Sequence, residues 1–131
     1  VTIVTDNSEI LEDEEWHGKP LDLSEEPVVV FENDEIIACH KPAFMTTHPA
    51  GRHLFYVATV HFSTIHGKTI HSIHRLDRET SGLLLLGKDS ASSMKIQQMF
   101  EHDQVRKCYF LIAHRREGAR QFPFTAREPL G

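Results

Sequence analysis

Cysteine is scarce in this chain, which has only Cys39 and Cys108 among its 131 residues. Two thiols exclude a disulfide framework and are too few for a zinc site built from cysteines. They fit a reducing compartment, so we expect a cytoplasmic protein. Long apolar runs are also missing, since none approaches the roughly 20 residues of a membrane-spanning helix. The first residues show no signal-peptide pattern either, and we expect no contact with a membrane.

Basic residues are nearly absent from the first 40 positions. Residues 1–40 hold 12 acidic side chains and one basic side chain, Lys19, for a net charge of −11. Residues 41–131 hold seven acidic and 13 basic side chains, for a net charge of +6, and eight of the ten histidines. This asymmetry indicates a polyanion partner for the basic part. The alternative is an acidic, solvated segment beside an ordinary globular domain.

Apolar patterning divides the chain into an acidic arm or linker, residues 1–26, and one domain over residues 27–131. The arm lacks apolar periodicity. In the domain, short apolar runs predict strands and a stripe starting at Leu54 predicts a helix that ends at Gly67. Asp89 is a good N-cap for a second helix. The predicted strands are 28–31, 36–39, 69–73, 83–86 and 109–113, and the predicted helices are 54–65 and 90–101.

This order of elements predicts an α+β fold, with a mixed or antiparallel sheet and flanking helices. Leu83 to Leu86 form a continuous apolar run that is too short for a helix. Such a run is typical of a strand that is buried on both faces. Lys41-Pro42 ends the first hairpin, because proline cannot donate to a strand ladder.

Residues 74–88 carry the pattern that points to chemistry, with the sequence HRLDRETSGLLLLGK. Asp77 lies in a short loop between two predicted strands, between the positive charges of Arg75 and Arg78. An ionised carboxylate on a basic surface can act as a nucleophile or general base on an anionic polymer. The alternative is that Asp77 only satisfies loop amides or pairs with Arg78.

The same string resembles the signature of the RluA-type pseudouridine synthases, which isomerise uridine to pseudouridine in structured RNA. Two shorter matches accompany it. The Lys41-Pro42 pair, with His48-Pro49 behind it, resembles the family's Lys-Pro motif, and Lys107-Cys108-Tyr109 resembles its Lys-x-Tyr motif. The resemblance covers about residues 27–113 and implies that the domain is the N-terminal portion of the family's catalytic domain.

The chain departs from the family pattern at three places. Phe44 stands where the family usually has a glycine after Lys-Pro. Gly87 replaces a usual alanine, a difference that we expect to matter little. A third family motif, whose arginine or lysine pairs with the catalytic aspartate, has no match before Gly131. We therefore expect the chain to be a fragment that lacks the C-terminal part of the catalytic domain and is inactive by itself.

The resemblance implies a role for each residue of the motifs. Asp77 would be the nucleophile that drives cleavage of the N1–C1′ bond, and Tyr109 would stack on the uracil and help to remove its C5 proton. Arg75 would fill the gap that the flipped uridine leaves in the RNA stack. Further RNA contacts are expected from Arg78, Lys107, Lys41 and His74. The reaction needs no metal or organic cofactor, and the substrate would be ribosomal or transfer RNA.

Two other functions compete with this interpretation. Six histidines lie between His48 and His74, and imidazole is a common metal ligand. Their spacing scatters them around a helix and matches no zinc motif, so a defined metal site is not expected. The second alternative is a non-catalytic RNA-binding relative of the same fold, which the missing third motif would allow.

Overall fold

The structure is a computed structural model that describes residues 15–16, 19–20, 23–50 and 54–110. Most of these residues belong to a four-stranded sheet and two helices. A separate pair of two-residue strands lies in the acidic arm. In chain order the elements are β1 (Glu15–Trp16), β2 (Lys19–Pro20), β3 (Val28–Glu32), β4 (Ile36–Lys41), α1 (Ala58–His66), β5 (His71–Ser72), β6 (Gly82–Gly87) and α2 (Ser90–Glu101).

The main sheet has the strand order β3-β4-β6-β5, and every neighbouring pair is antiparallel. The α+β prediction is confirmed, in its antiparallel form. The β3–β4 turn forms because the Asn33 side-chain oxygen accepts hydrogen bonds from the Glu35 and Ile36 N–H groups, at 2.9 and 2.8 Å. At its other end β4 runs to Lys41 and stops before Pro42, as predicted.

The core lies on one face of this sheet. Side chains of β4 and β6 that face each other in register pack there against Phe62 of α1. The buried apolar cluster consists of Ile37, Cys39, Met45, Ala58, Phe62, Ile70, Leu76, Leu84 and Leu86. Successive side chains of a strand point to opposite faces, so Leu83 and Leu85 lie on the other face.

The prediction that β6 is buried on both faces is wrong. Leu84 and Leu86 are fully buried, whereas Leu83 keeps 59% of its surface exposed. The reason is that the face carrying Leu83 opens into a cavity, which Phe100 of α2 covers only in part. An unbroken run of four leucines therefore alternates between core and cavity.

Helix α2 matches its prediction at both ends. Its N-cap Asp89 accepts a hydrogen bond from the Ser92 N–H at 2.8 Å, which satisfies one of the free donors of the first turn. Helix α1 ends as predicted at Gly67, which has a left-handed φ of 60°. It begins later than predicted, at Ala58, and Leu54 lies outside it.

Local contacts explain the late start of α1. The Ala58 and Thr59 N–H groups donate to the carbonyls of Thr46 and Thr47, at 2.9 and 3.1 Å. The loop after β4 therefore takes the place of a side-chain cap, and the N-cap residue Val57 provides none. Neither described helix is long and apolar enough to cross a membrane.

Two predicted strands differ from the structure. The one over residues 69–73 is reduced to His71–Ser72. Of the one over residues 109–113, Tyr109 and Phe110 are exposed and belong to no strand, and residues 111–113 lie outside the described part of the chain. Within the described part of the chain neither residue pairs with a strand, so strand propensity alone does not make one here.

The end of the acidic arm contacts the body of the protein. The Tyr56 hydroxyl donates a hydrogen bond to the Glu25 carbonyl, and Pro27 is buried. The division at residue 26 stays a prediction, but residues 23–27 pack with the domain.

Candidate active site

Asp77 lies on the loop that joins β5 to β6. Its carbonyl accepts a hydrogen bond from the Thr80 N–H at 3.1 Å, which closes a tight turn over residues 77–80. The side chains of Asp77 and Arg75 are both exposed. The turn therefore presents the predicted nucleophile and the predicted stacking arginine to solvent, where a large substrate can reach them.

Thr47 holds the start of this loop. Its hydroxyl accepts a hydrogen bond from the Leu76 N–H at 3.2 Å and donates one to the Leu76 carbonyl at 3.1 Å. Thr47 is 3% exposed and Leu76 is a core residue, so both bonds are shielded from water. The residue before Asp77 is thus fixed by two buried hydrogen bonds and by packing.

Lys41 is a buried cation beneath the same loop. Its side chain is fully buried, and its ammonium donates to the carbonyls of Pro42 at 3.0 Å, Met45 at 2.7 Å and Arg78 at 3.3 Å. An ammonium has three donors, and all three are used. This placement does not support the predicted contact between Lys41 and RNA. Lys41 instead ties the loop after β4 to the loop that carries Asp77.

The charge of Lys41 is balanced only in part. Burial lowers the pKa of Lys41 to about 8, while the negative charge of Glu79, with smaller effects from Cys39 and then from Asp77, acts in the opposite direction. Burial likewise raises the pKa of the Cys39 thiol to about 11. The carboxylate of Asp77 and the ammonium of Lys41 therefore interact electrostatically, although the three hydrogen bonds of the ammonium go to backbone carbonyls.

A cavity of about 430 Å³ opens beside the Asp77 loop, on the sheet face opposite the core. Leu76, Thr80 and Ser81 of the loop line one side, and Tyr109 lies on the segment that follows α2. The Tyr109 ring keeps 61% of its surface exposed, so it is not a core residue. A half-open cavity with an accessible aromatic ring can receive an extruded base.

His74 forms another wall of this cavity. Its Nε2 accepts a hydrogen bond from the Leu85 N–H at 3.1 Å, and its ring stacks on Phe100 with the centroids 4.8 Å apart. Burial lowers the pKa of His74, a hydrogen bond with the Arg75 backbone acts in the opposite direction, and the positive charge of Lys107 lowers the pKa by a smaller amount. A neutral ring with Nε2 occupied serves structure, and it does not support the predicted contact of His74 with RNA.

Lys107 and Tyr109, the two ends of the Lys-x-Tyr motif, both line the cavity. The Lys107 ammonium lies 5.9 Å from the centroid of the Phe100 ring, within reach of a cation–π contact. Its side chain is exposed and remains available to a polyanion.

The structure therefore brings together one part of the predicted site and places the rest beside it. His74, Lys107 and Tyr109 share the cavity, whereas Asp77, Arg75 and Arg78 are not among its described lining residues. Sequence reasoning missed Thr47 and Phe100. No sequence signal marks Phe100 as a site residue. For Thr47, the only sequence signal is its position between the Lys-Pro pair and the His-Pro pair.

Within residues 23–50 and 54–110, no group of three or more histidine, cysteine, aspartate or glutamate side chains could hold a metal ion. The dense histidines of this region are dispersed by the fold. His61 packs edge-on to Phe62, His66 lies 3.7 Å from a Glu32 carboxylate oxygen, and His74 contacts Phe100.

These motifs, and the sheet that carries them, fall within the match to a known protein family. The model of the RNA pseudouridylate synthase family matches residues 35–129, and the chain belongs to that family. The match includes the Lys-Pro pair, the Asp77 loop and the Lys-x-Tyr segment.

Individual relatives agree with the family match. The chain is 36% identical to the ribosomal large subunit pseudouridine synthase C of Rickettsia typhi, over 67% of this chain and 29% of that protein. It is 31% identical to the human pseudouridylate synthase RPUSD2, over 98% of this chain and 23% of that protein. The chain thus spans less than a third of the length of these relatives.

A solved structure resembles the fold as well. It is the human RNA pseudouridylate synthase domain-containing protein 4, which superposes with a TM-score of 0.50 at 25% identity. The similarity covers 59% of this chain and 30% of that structure. The described sheet and helices therefore correspond to part of a pseudouridylate synthase fold.

Proposed function

We propose that this protein is an RNA pseudouridine synthase, an isomerase that converts specific uridines of structured RNA to pseudouridine. The observation that carries the proposal is the Asp77 turn. In a chain of this family, an exposed carboxylate stands on a loop that three separate contacts hold, from Lys41, Thr47 and the Phe44 backbone. A fixed and accessible carboxylate is what an attack on C1′ needs, because the reacting groups must be held in line.

The proposed chemistry conserves all atoms of the uridine. The carboxylate of Asp77 bonds to C1′ as the N1–C1′ bond breaks, the freed uracil turns, and the carboxylate leaves C1′ as the C5–C1′ bond forms. The C5 proton then leaves and N1 regains a proton, so the enzyme is restored without a cofactor. Tyr109 supports this step from the cavity wall, with its ring against the base and its hydroxyl near the proton that is lost.

Basic side chains around the site favour RNA as the substrate. Arg75, Arg106 and Lys107 are exposed near the loop and the cavity, where they can meet phosphates. A uridine in a helix is unreachable, so we expect extrusion of the base at a cost of about a few kcal/mol. The name of the Rickettsia relative supports ribosomal RNA as the target, and transfer RNA is the other candidate. The low cysteine content fits a reducing compartment and supports a cytoplasmic location.

The first test changes Asp77 to Asn, which keeps the shape of the side chain and removes its negative charge. We expect no pseudouridine at the target site, because the uncharged amide cannot act as the nucleophile. Pseudouridines are mapped in RNA from cells that lack the gene and carry either the wild-type or the variant copy. Asp34→Asn, in the exposed β3–β4 turn, is the matched control. Modification by Asp77→Asn at the wild-type level would refute the proposal.

The second test changes Tyr109 to Phe. The ring and its stacking remain, whereas the hydroxyl is lost, so we expect RNA affinity to persist and turnover to fall by about 10²-fold or more. Affinity is measured by filter binding and turnover by single-turnover formation of pseudouridine. If affinity falls while each bound complex turns over normally, Tyr109 anchors the RNA and takes no part in the chemistry.

A further inference from the structure

Phe44 adopts a backbone conformation that is unfavourable for its side chain. Its φ is 66°, in the left-handed region, where a Cβ collides with the following carbonyl and where glycine is the usual residue. It lies in the loop between β4 and α1, three residues after the buried Lys41. The ring is only half-buried, so the burial of apolar surface does not by itself explain a phenylalanine here.

Phe44 contacts the residue after Asp77 in two ways. Its N–H donates to the Arg78 carbonyl at 2.6 Å, the same oxygen that accepts from the Lys41 ammonium at 3.3 Å. Its ring faces the Arg78 guanidinium, with the guanidinium carbon 6.0 Å from the ring centroid. The backbone bond fixes the turn, and the ring fixes the direction of the positive charge on the residue that follows Asp77.

These two contacts differ in what they require. Any residue except proline, glycine included, could supply the N–H group, but only an aromatic side chain supplies a π face for the guanidinium. The left-handed backbone would be relaxed by glycine, so the phenylalanine is retained against a steric penalty. The contact between the Phe44 ring and Arg78 offsets this steric penalty.

We propose that Phe44 is a positioning residue, which holds the Arg78 side chain through its ring and thereby orients the Asp77 turn for catalysis. The assignment rests on the proposed function of Asp77. It makes the loop after β4 part of the catalytic apparatus of this protein through a side chain as well as through its backbone.

The test compares four variants of the complete gene product. Phe44→Gly removes both the ring and the steric penalty, Phe44→Leu removes the π face alone, and Phe44→Tyr keeps it. Phe31→Leu, on the exposed edge strand β3, is the matched control. The measurements are kcat and KM for pseudouridine formation, the thermal midpoint, and hydrogen exchange of the Thr80 amide, which closes the Asp77 turn.

For Phe44→Gly and Phe44→Leu we expect kcat to fall about tenfold and KM to change by less than about twofold. The reason is that losing the ring alters the position of the Asp77 turn and leaves the affinity for RNA unchanged. The thermal midpoint of Phe44→Gly should equal or exceed that of the wild type, which a merely structural role would not allow. Exchange at Thr80 should be faster in both variants, and Phe44→Tyr and Phe31→Leu should match the wild type.

Two results would overturn the assignment. One is a wild-type kcat in both Phe44→Gly and Phe44→Leu, and the other is a loss of kcat that follows the thermal midpoint across all variants. If the wild type itself forms no pseudouridine, the proposed function fails, and the Thr80 exchange still decides this inference. Unchanged exchange in both variants would then refute it, and faster exchange would support the hold on the turn.

Discussion

At the scale of single residues, Lys41 shows how much a buried charge can organise. Its ammonium has no access to water and is satisfied by three carbonyls from two loops. Buried charges are expensive unless they are fully hydrogen-bonded, and losing one partner of such a group exposes the full desolvation penalty of the others. The loop with Asp77 therefore depends on the protonation state of a residue that is buried beneath it.

We predict that Lys41→Met lowers the free energy of unfolding by about 1–3 kcal/mol at pH 7, because three buried carbonyls lose their donor. We also predict that the wild type gains stability relative to the variant above pH 8, so that the difference between their free energies of unfolding grows. The folded-state pKa of about 8 lies below the value of 10.5 for an ordinary lysine, so the unfolded wild type binds more protons in this window and its stability rises with pH.

The measurement is urea unfolding of both proteins between pH 7 and pH 10.5. The difference in the free energy of unfolding between the wild type and Lys41→Met should grow by up to about 3 kcal/mol over this range. Lys95→Met, on the exposed side of α2, is the control for the loss of a lysine that is not buried. A constant difference across the range would mean that the pKa of Lys41 is the same in the folded and unfolded states.

At the scale of elements, the contact between β6 and α2 is unusually close at Gly87. A Cβ at this position would lie 1.9 Å from the Ser93 hydroxyl oxygen and 3.0 Å from the Ser93 Cβ. This close contact argues against the expectation that glycine instead of alanine matters little here. The Ser93 hydroxyl donates to the Asp89 carbonyl at 2.7 Å, which holds it in the way.

We predict that Gly87→Ala lowers the free energy of unfolding by about 1–3 kcal/mol, as overpacking does in other cores. In the double variant with Ser93→Ala, the closest clash is gone and the 3.0 Å contact remains, so part of the loss should return. Denaturant unfolding of the two single variants and the double variant gives the coupling energy. Purely additive effects would show that α2 moves away from β6 without resistance.

The elements differ in how far sequence could predict them. The start of α2 and the end of α1 follow from local signals, the Asp89 cap and the left-handed Gly67, and these are confirmed. The start of α1 depends on carbonyls of another loop, which no local pattern encodes. The exposure of Leu83 depends likewise on what covers the sheet.

The candidate site divides in the same way. The motif predicts Asp77 on a loop between two strands, and the structure confirms that the residue lies between β5 and β6. The contacts that hold that loop join residues 29 to 37 positions apart, such as Thr47 with Leu76 and Lys41 with Arg78. Pairings of this kind arise only from the packing of the complete sheet and helix, and sequence reasoning accordingly assigned Lys41 to the RNA surface.

At the scale of the whole molecule, the charge asymmetry sets an acidic arm against a basic body. Residues 1–22 hold seven acidic side chains and one basic side chain, for a net charge of −6. The Glu25 carbonyl and the buried Pro27 belong to the packed body, so a deletion that ends at residue 22 spares both. The arm can compete with RNA phosphates for the basic surface.

We predict that deleting residues 1–22 strengthens RNA binding or leaves it unchanged, with the larger effect at low salt, where charges are screened least. Affinity is measured at several salt concentrations for the wild type and the deletion. A full-length control changes Glu12, Asp13 and Glu14 to their amides and should shift affinity in the same direction. A marked loss of affinity on deletion would show that the arm itself contacts RNA, through Trp16 for example.

The two cysteines lie in opposite environments, and this makes the protein easy to label. Cys39 is fully buried and its thiol has a pKa of about 11, so it yields little thiolate for alkylation at neutral pH. Cys108 is exposed and lines the cavity next to Tyr109. A maleimide dye will therefore attach at one known position without any mutagenesis, and its emission will report when the cavity fills.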